Sequence, residues 1–436
     1  MVDNKMWDKF SFYLTFGLLL VIACAAAPAS NNHGIHSADH HKHLHHAKGE
    51  PHPSHEGAHQ DCHLLSPHNA DFAFSLYRKL NALPDSKGKN IFFSPLSISM
   101  ALSLLALGAK EQTHSEIYRV LEYSNLQPAQ VNEGYEHLLH MLNHSRDAFQ
   151  LEMGTSLAVR QGFKPLDKFL QDAQHYYQSE AFTADFSKPD VAAQEINKYI
   201  AKKTEDMITD LVKDVDKDTV MMLISYLFFK GKWEKPFEER DTHKADFHVD
   251  ENTKVTVDMM SNDDFYDYYI DPANHTTVLM LPYKGNASMM ILLPDEGKTQ
   301  EVEGLLSKEQ IKHWHDSLLG EMFPVTVPKF SISATYSLAD TLKEMGMVST
   351  FSETADFSSI SETDQLKVSQ VEHKAVLKVD ERGTEAAAAT TEEFGGLSGV
   401  MPRLRIDLNR PFLLLIVEDS TKTILFMGKI TDPTAA

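Results

Sequence analysis

The sequence predicts an α+β fold, and three observations carry that prediction. Apolar residues at helical spacing crowd the first half of the chain. Runs of strand character crowd the second half. No internal repeat or central linker divides the 436 residues. The composition is globular, 42% hydrophobic and 24% charged, and a net charge of −21 argues against nucleic acid or an anionic membrane surface as a partner.

Residues 1–27 read as a leader. Lys5 and Lys9 precede an apolar run from about Phe10 to Ala27 that ends in small residues, the pattern of a secretory signal peptide cleaved near Ala25 to Ser30. A membrane span is the other reading, but the run is short for one and no flanking anchor follows. The expected location is extracellular. Cys24 would leave with the leader, so Cys62 stays as a single thiol open to a mixed or intermolecular disulfide. A domain without internal disulfides must rest on its core, and a chain this long can supply one.

Residues 28–63 form a His-rich tail without apolar periodicity, and 12 of the 23 histidines fall between positions 31 and 68. Clustered imidazoles such as His40, His41, His43, His45 and His46 are weak candidates for zinc or copper ligands. His55-Glu56-Gly57-Ala58-His59 matches a zinc-protease pattern that needs a helix to align its histidines. Pro53, Ser54 and Gly57 oppose one, so the match reads as chance.

The folded body spans 64–436. Ser66-Pro67 is a helix-start signal, followed by Phe72, Leu76 and Leu80 at helical spacing. Ser94-Pro95 repeats the signal before an apolar helix that stops at Gly108. Thr113 to Glu116 reads as a capping box ahead of another helix. Phe149 to Arg160 reads as strand, about Asp190 to Leu211 as helix, and Val220 to Lys230 as a strand buried on both faces. Val278–Tyr283 with Ser288–Leu293, and Leu413–Glu418 with Ile424–Ile430, read as two hairpins. In Val371 to Asp380, His373, Ala375, Leu377 and Val379 share one strand face, with Lys374, Lys378 and Asp380 on the other. Glycosylation sequons begin at Asn143, Asn274 and Asn286, the last in a predicted turn.

Between two of these strands lies Glu381 to Glu393, an exposed loop of unusual make-up: one glycine, then four alanines and threonines. As a strand it would turn Thr384, Ala386, Ala388 and Thr390 to one face, all small enough to slide beneath a sheet. Such a loop is a switch.

This segment resembles the proximal hinge of the serpin family, and Asn409-Arg410-Pro411-Phe412 resembles that family's C-terminal signature. Asn90 to Pro95, Phe228 to Trp233 and Leu293 to Gly297 resemble serpin segments in the same order, closest to the antitrypsin-like plasma serpins, over about 64–433. The resemblance implies three β-sheets, eight or nine helices and an exposed reactive loop at about 381–405. It implies a monomeric inhibitor, not an enzyme and without cofactor, that traps serine proteases as covalent complexes by loop cleavage and insertion. By the same resemblance Glu381, Gly383, Thr384, Ala386, Ala387, Ala388 and Ala389 form the hinge. Ser94, Ser97, Ser225, His373 and Trp233 belong to the sheet-opening region, and Leu397-Ser398 is the bait bond, suited to chymotrypsin- or elastase-like enzymes.

The chain departs from the family pattern in three places. Ser225 stands where the family usually has Asn, and a hydroxyl is shorter than a carboxamide. The stretch after Ser398 is about three residues longer than in antitrypsin-like members and offers Arg403-Leu404 and Arg405-Ile406 to trypsin-like enzymes. Glu392 would face inward on insertion. The alternatives are a non-inhibitory serpin carrying a hydrophobic ligand, and a plasma protein that binds metal through its tail. Gly396-Leu397-Ser398-Gly399-Val400 fails the hydrolase G-x-S-x-G elbow at its last position.

Overall fold

The structure, a computed structural model, describes residues 55–144, 149–363, 365–383 and 403–435, with side chains from His63 onward except those of His144 and Phe149. Helices α1 (His55–Ala82), α2 (Pro95–Gly108), α3 (Glu111–Val120) and α4 (Pro128–His144) come early, with the short strand β1 (Ile91–Phe93) among them. Then follow β2 (Phe149–Arg160), α5 (Asp167–Tyr177), β3 (Glu180–Ala184), α6 (Pro189–Lys203), β4 (Met221–Gly231), β5 (His243–His248), β6 (Lys254–Asp271), β7 (Thr276–Pro282) and β8 (Ala287–Pro294). The chain closes with α7 (Thr299–Leu305), α8 (Lys308–Asp316), β9 (Leu319–Pro328), β10 (Phe330–Ser337), α9 (Ala339–Met345), β11 (Gln370–Val379), β12 (Ile406–Asp407), β13 (Phe412–Glu418) and β14 (Thr423–Ile430). The fold is α+β.

The strands form two hydrogen-bonded ladders. One has five strands in the order β10-β11-β4-β2-β3; the other has nine, in the order β1-β14-β13-β8-β7-β6-β9-β12, with β5 also on β6. Strand β6 joins two smaller sheets into the nine-stranded ladder. Its last residues pair with β7, and the rest of its length pairs with β5 and β9.

Strand β4 is buried on both faces, as its unbroken apolar run predicts. Met222, Ile224, Tyr226 and Phe228 join the smaller core with Ile196 and Ile200 of α6. Met221, Leu223, Leu227 and Phe229 face the main core. The two hairpins pair as read, β7 with β8 and β13 with β14.

Three helix boundaries differ from the sequence reading. Helix α1 begins at His55 and carries Pro67 inside it. Leu65, buried upstream of the proline, extends the apolar stripe back past the start signal, and tertiary packing holds the turn that proline weakens. The backbone of 55–59 is therefore helical despite Pro53, Ser54 and Gly57. Helix α3 begins at Glu111, so Thr113 and Glu116 lie inside it and form no capping box. They cap a different segment: Ser349 N–H donates to Glu116 Oε2 at 2.7 Å and Asp356 N–H to Thr113 Oγ1 at 3.0 Å. Helix α6 ends at Lys203, well before Leu211. There Thr204 Oγ1 donates to the Ile200 carbonyl and accepts from Ile208 N–H, turning the chain.

Candidate functional site

Strands β4 and β11 run parallel at the centre of the five-stranded sheet, in register from Gln370 opposite Met222 to Leu377 opposite Phe229. A chain that leaves β11 and doubles back would lie antiparallel to both. This seam, and the hinge at its upper end, form the candidate site.

Beneath the seam lies the start of α2. Ser94 caps that helix, accepting from Ser97 N–H at 3.1 Å, and Ser97 Oγ is 3.5 Å from the Ser94 carbonyl. The Ser94 N–H donates to His373 Nε2 at 3.1 Å. An amide can only donate, so Nε2 carries the lone pair and the neutral ring holds its proton on Nδ1. That nitrogen lies 2.9 Å from Ser225 Oγ, and His373 and Ser225 are register partners on β11 and β4. His373 is fully buried, and burial pushes its pKa down to about 3. Ser94, Ser97, Ser225 and His373 thus form one hydrogen-bonded chain, and Ser225 reaches the imidazole despite its shorter side chain.

At the upper end, the carbonyls after β11 are all held by one neighbouring segment. Trp233 Nε1 donates to Asp380 O at 2.9 Å, Phe237 N–H to Glu381 O at 2.8 Å and Trp233 N–H to Arg382 O at 3.3 Å. The Trp233 ring stacks on Tyr283 with centroids 4.2 Å apart. The Glu381 carboxylate accepts from Thr242 Oγ1 at 3.0 Å and from Lys329 Nζ at 2.8 Å. Burial pushes that carboxyl up, but the bonds from Lys329 and Thr242 outweigh it and hold its pKa below the ordinary value. Arg382 pairs with Glu239 at 2.8 Å. Gly383 has φ +71°, and a Cβ there would meet the Gly231 carbonyl oxygen at 2.3 Å and Trp233 N at 2.4 Å. Only glycine fits.

Sequence reasoning named Trp233, Glu381 and Gly383 but missed Phe237, Glu239, Thr242 and Lys329, whose pairings span 52 to 144 residues of chain and leave no local pattern. Lys374 lies on the face of β11 opposite His373, as the alternation predicts, but it is buried there and paired with Asp210, which the sequence did not show.

Thr384, Ala386, Ala387, Ala388, Ala389, Glu392, Leu397 and Ser398 lie outside the described residues, as do the tail histidines and the leader. Among the described residues, no group of three or more His, Cys, Asp or Glu could hold a metal ion, and no helix is long and apolar enough to cross a membrane. Asn143, Asn274 and Asn286 lie on α4, in the β6–β7 turn and in the β7–β8 turn.

Residues 67–433 match the family described as serpin (serine protease inhibitor). The chain is 61% identical over 322 residues to the alpha-1-antitrypsin homolog of Cyprinus carpio, covering 74% of this chain and 86% of that one. It is 44% identical over 388 residues to alpha-1-antichymotrypsin of Homo sapiens, covering 87% and 90%. The crystal structure of human thyroxine-binding globulin complexed with thyroxine superimposes with a TM-score of 0.80 at 39% identity, covering 86% of this chain and all of that one. The chain belongs to the serpin family, a family of serine protease inhibitors and not of enzymes.

Proposed function

We propose that this serpin is a secreted, monomeric inhibitor that acts as a suicide substrate through the Leu397-Ser398 bond. The protease's serine oxygen attacks the Leu397 carbonyl carbon, and the Leu397–Ser398 C–N bond breaks. The new amino group of Ser398 takes up a proton, and Leu397 stays esterified to the protease. The freed arm then folds down between β4 and β11, taking the protease with it. The parallel seam, with its hinge hung from the end of β11, carries this reading. One parallel pairing would become two antiparallel ones. About ten new backbone hydrogen bonds at roughly 0.5–1.5 kcal/mol each amount to on the order of 10 kcal/mol, the stability of an ordinary domain.

Incubation with chymotrypsin, an elastase and trypsin, followed by denaturing electrophoresis and mass analysis, tests it. A denaturation-resistant complex near the summed mass, with a released peptide beginning at Ser398, is expected. Clean cleavage without complex would overturn it.

A second reading, carriage of a hydrophobic ligand, is favoured by one observation. A cavity of about 460 Å³ between α1, α8 and the sheet is lined by Phe74, Met280, Met290 and Ile311, with Lys308 and Lys312 at its edge. It suits an apolar body, and the two readings are separable because carriage needs no loop cleavage. Zinc or copper binding by the tail is a further proposal, tested by metal titration of the chain with and without residues 28–63. Glycans at Asn143, Asn274 or Asn286 are a further proposal, tested by the mass of the secreted protein before and after enzymatic deglycosylation. In the folded chain each carboxamide nitrogen donates within the protein, to Gln178, Asp271 and Glu418 respectively.

A further inference from the structure

The distal end of the bait segment is fixed to the nine-stranded sheet by its own arginines. Arg403 Nη1 donates to Asp263 Oδ2 at 2.7 Å, and Nη2 donates to Asp263 Oδ1 at 3.0 Å and to the Met322 carbonyl at 3.2 Å. This is a bidentate clamp on β6 and β9, of the geometry that makes Arg–carboxylate pairs directional. The next residues are held too. Leu404 packs against the core, and Arg405 Nε lies 2.8 Å from both oxygens of Asp407. Ile406 is buried and pairs with Val325 of β9.

A trypsin-like protease must take the Arg403 side chain into an acidic pocket and hold the flanking residues extended along its own strand edge. Both demands conflict with what is seen here. The guanidinium is already committed to a carboxylate, and the residues just beyond the Arg403-Leu404 bond are committed to β9. We propose that Asp263 is a specificity-determining residue: it closes the Arg403-Leu404 bond to trypsin-like enzymes, so the accessible bait segment ends before Arg403. The proposal rests on the inhibitory reading above, because its value lies in what a cut at Arg403 would do. Such a cut adds six residues to the arm relative to Leu397 (403 − 397) and leaves slack where insertion needs tension. Asp263 thus protects the bait from unproductive cleavage.

The test uses the full chain and its Asp263→Ala and Asp263→Asn variants, digested briefly with trypsin, with the released C-terminal peptide identified by mass. The initial rate of cutting at Arg403 should rise about fivefold in Asp263→Ala, and less in Asp263→Asn, which keeps the shape and loses the charge. Because the pair is half exposed, added salt should speed wild-type cutting at Arg403 and leave the Ala variant unmoved. A merely structural Asp263 would give no such salt dependence. If the Ala variant melts early, the Asn variant and the wild-type salt series carry the result. An unchanged rate at Arg403 in both variants, or an equal gain at every other Lys and Arg bond, would overturn the proposal. Whether Leu397 is the bait is read separately with chymotrypsin, so failure there leaves the Arg403 rates interpretable.

Discussion

Ser225 Oγ and His373 Nδ1 stand 2.9 Å apart across the parallel seam between β4 and β11, as register partners on the two strands that the proposed insertion would separate. The proton on Nδ1 is fixed by the Ser94 amide on the far side of the ring. Removing the hydroxyl strands that proton in a fully buried place. Ser225→Ala should lower stability by about 1–3 kcal/mol, the cost of an unpaired buried donor, and lower the thermal midpoint. A midpoint unchanged within error would show that the bond does not hold the seam. Ser225→Asn tests the complementary point: a carboxamide oxygen can also accept from Nδ1, so Asn should satisfy His373 and keep the wild-type midpoint.

Two adjacent groups on β11 oppose one another in pH. His373 has its pKa pushed down to about 3 from 6.5, so between these values the unfolded chain binds more protons and stability is lost as pH falls. Glu372, buried beside Ser337, is pushed up to about 7 from 4.5, so its contribution is present below 4.5 and lost as pH rises through 7. From about pH 4.5 to 6.5 the slopes cancel. Glu372→Gln removes the second term, and thermal midpoints across that window should then fall more steeply on acidification than in the wild type. Parallel curves would show that one of the two groups does not titrate as its burial implies.

What was legible in the sequence follows from how local each signal is. β2 and β4 announce themselves through uninterrupted patterns, and the Ser94-Pro95 start of α2 through a cap that closes within three residues. Pro67 and Thr113–Glu116 misled because long-range packing overrode local preference. Leu65 keeps α1 helical through the proline, and Thr113 and Glu116 cap a segment more than 230 residues away. At the site, Gly383 was readable because only glycine makes that turn. The clasp at Phe237, Thr242 and Lys329 was not, since hydrogen bonds to hinge carbonyls and a carboxylate impose no sequence period.

In the proposed insertion the inward face would carry one residue unlike the rest. From Thr384 through Thr390 every second side chain is small, but Glu392 continues the same face. Burying an unpaired carboxylate is costly, so insertion should slow there and release part of the protease. Glu392→Leu should raise the trapped fraction, read as a lower molar ratio of inhibitor needed to silence chymotrypsin. An unchanged ratio would mean that Glu392 finds a partner or never enters the sheet.

The clasp on the hinge makes the last prediction. Three successive carbonyls, those of Asp380, Glu381 and Arg382, accept from Trp233 and Phe237, and one of these bonds comes from the indole N–H. Trp233→Phe keeps an aromatic ring over Tyr283 and deletes that donor, at a cost of about 1 kcal/mol. The loss falls on the native state alone if Asp380 moves when the arm enters the sheet. Conversion to a heat-resistant, inserted form during mild warming should then run about fivefold faster, since 1 kcal/mol is a factor of that size. Equal conversion rates with a lowered midpoint would instead mean that Trp233 supports the core and leaves the hinge to Glu381 and its bonds to Lys329 and Thr242.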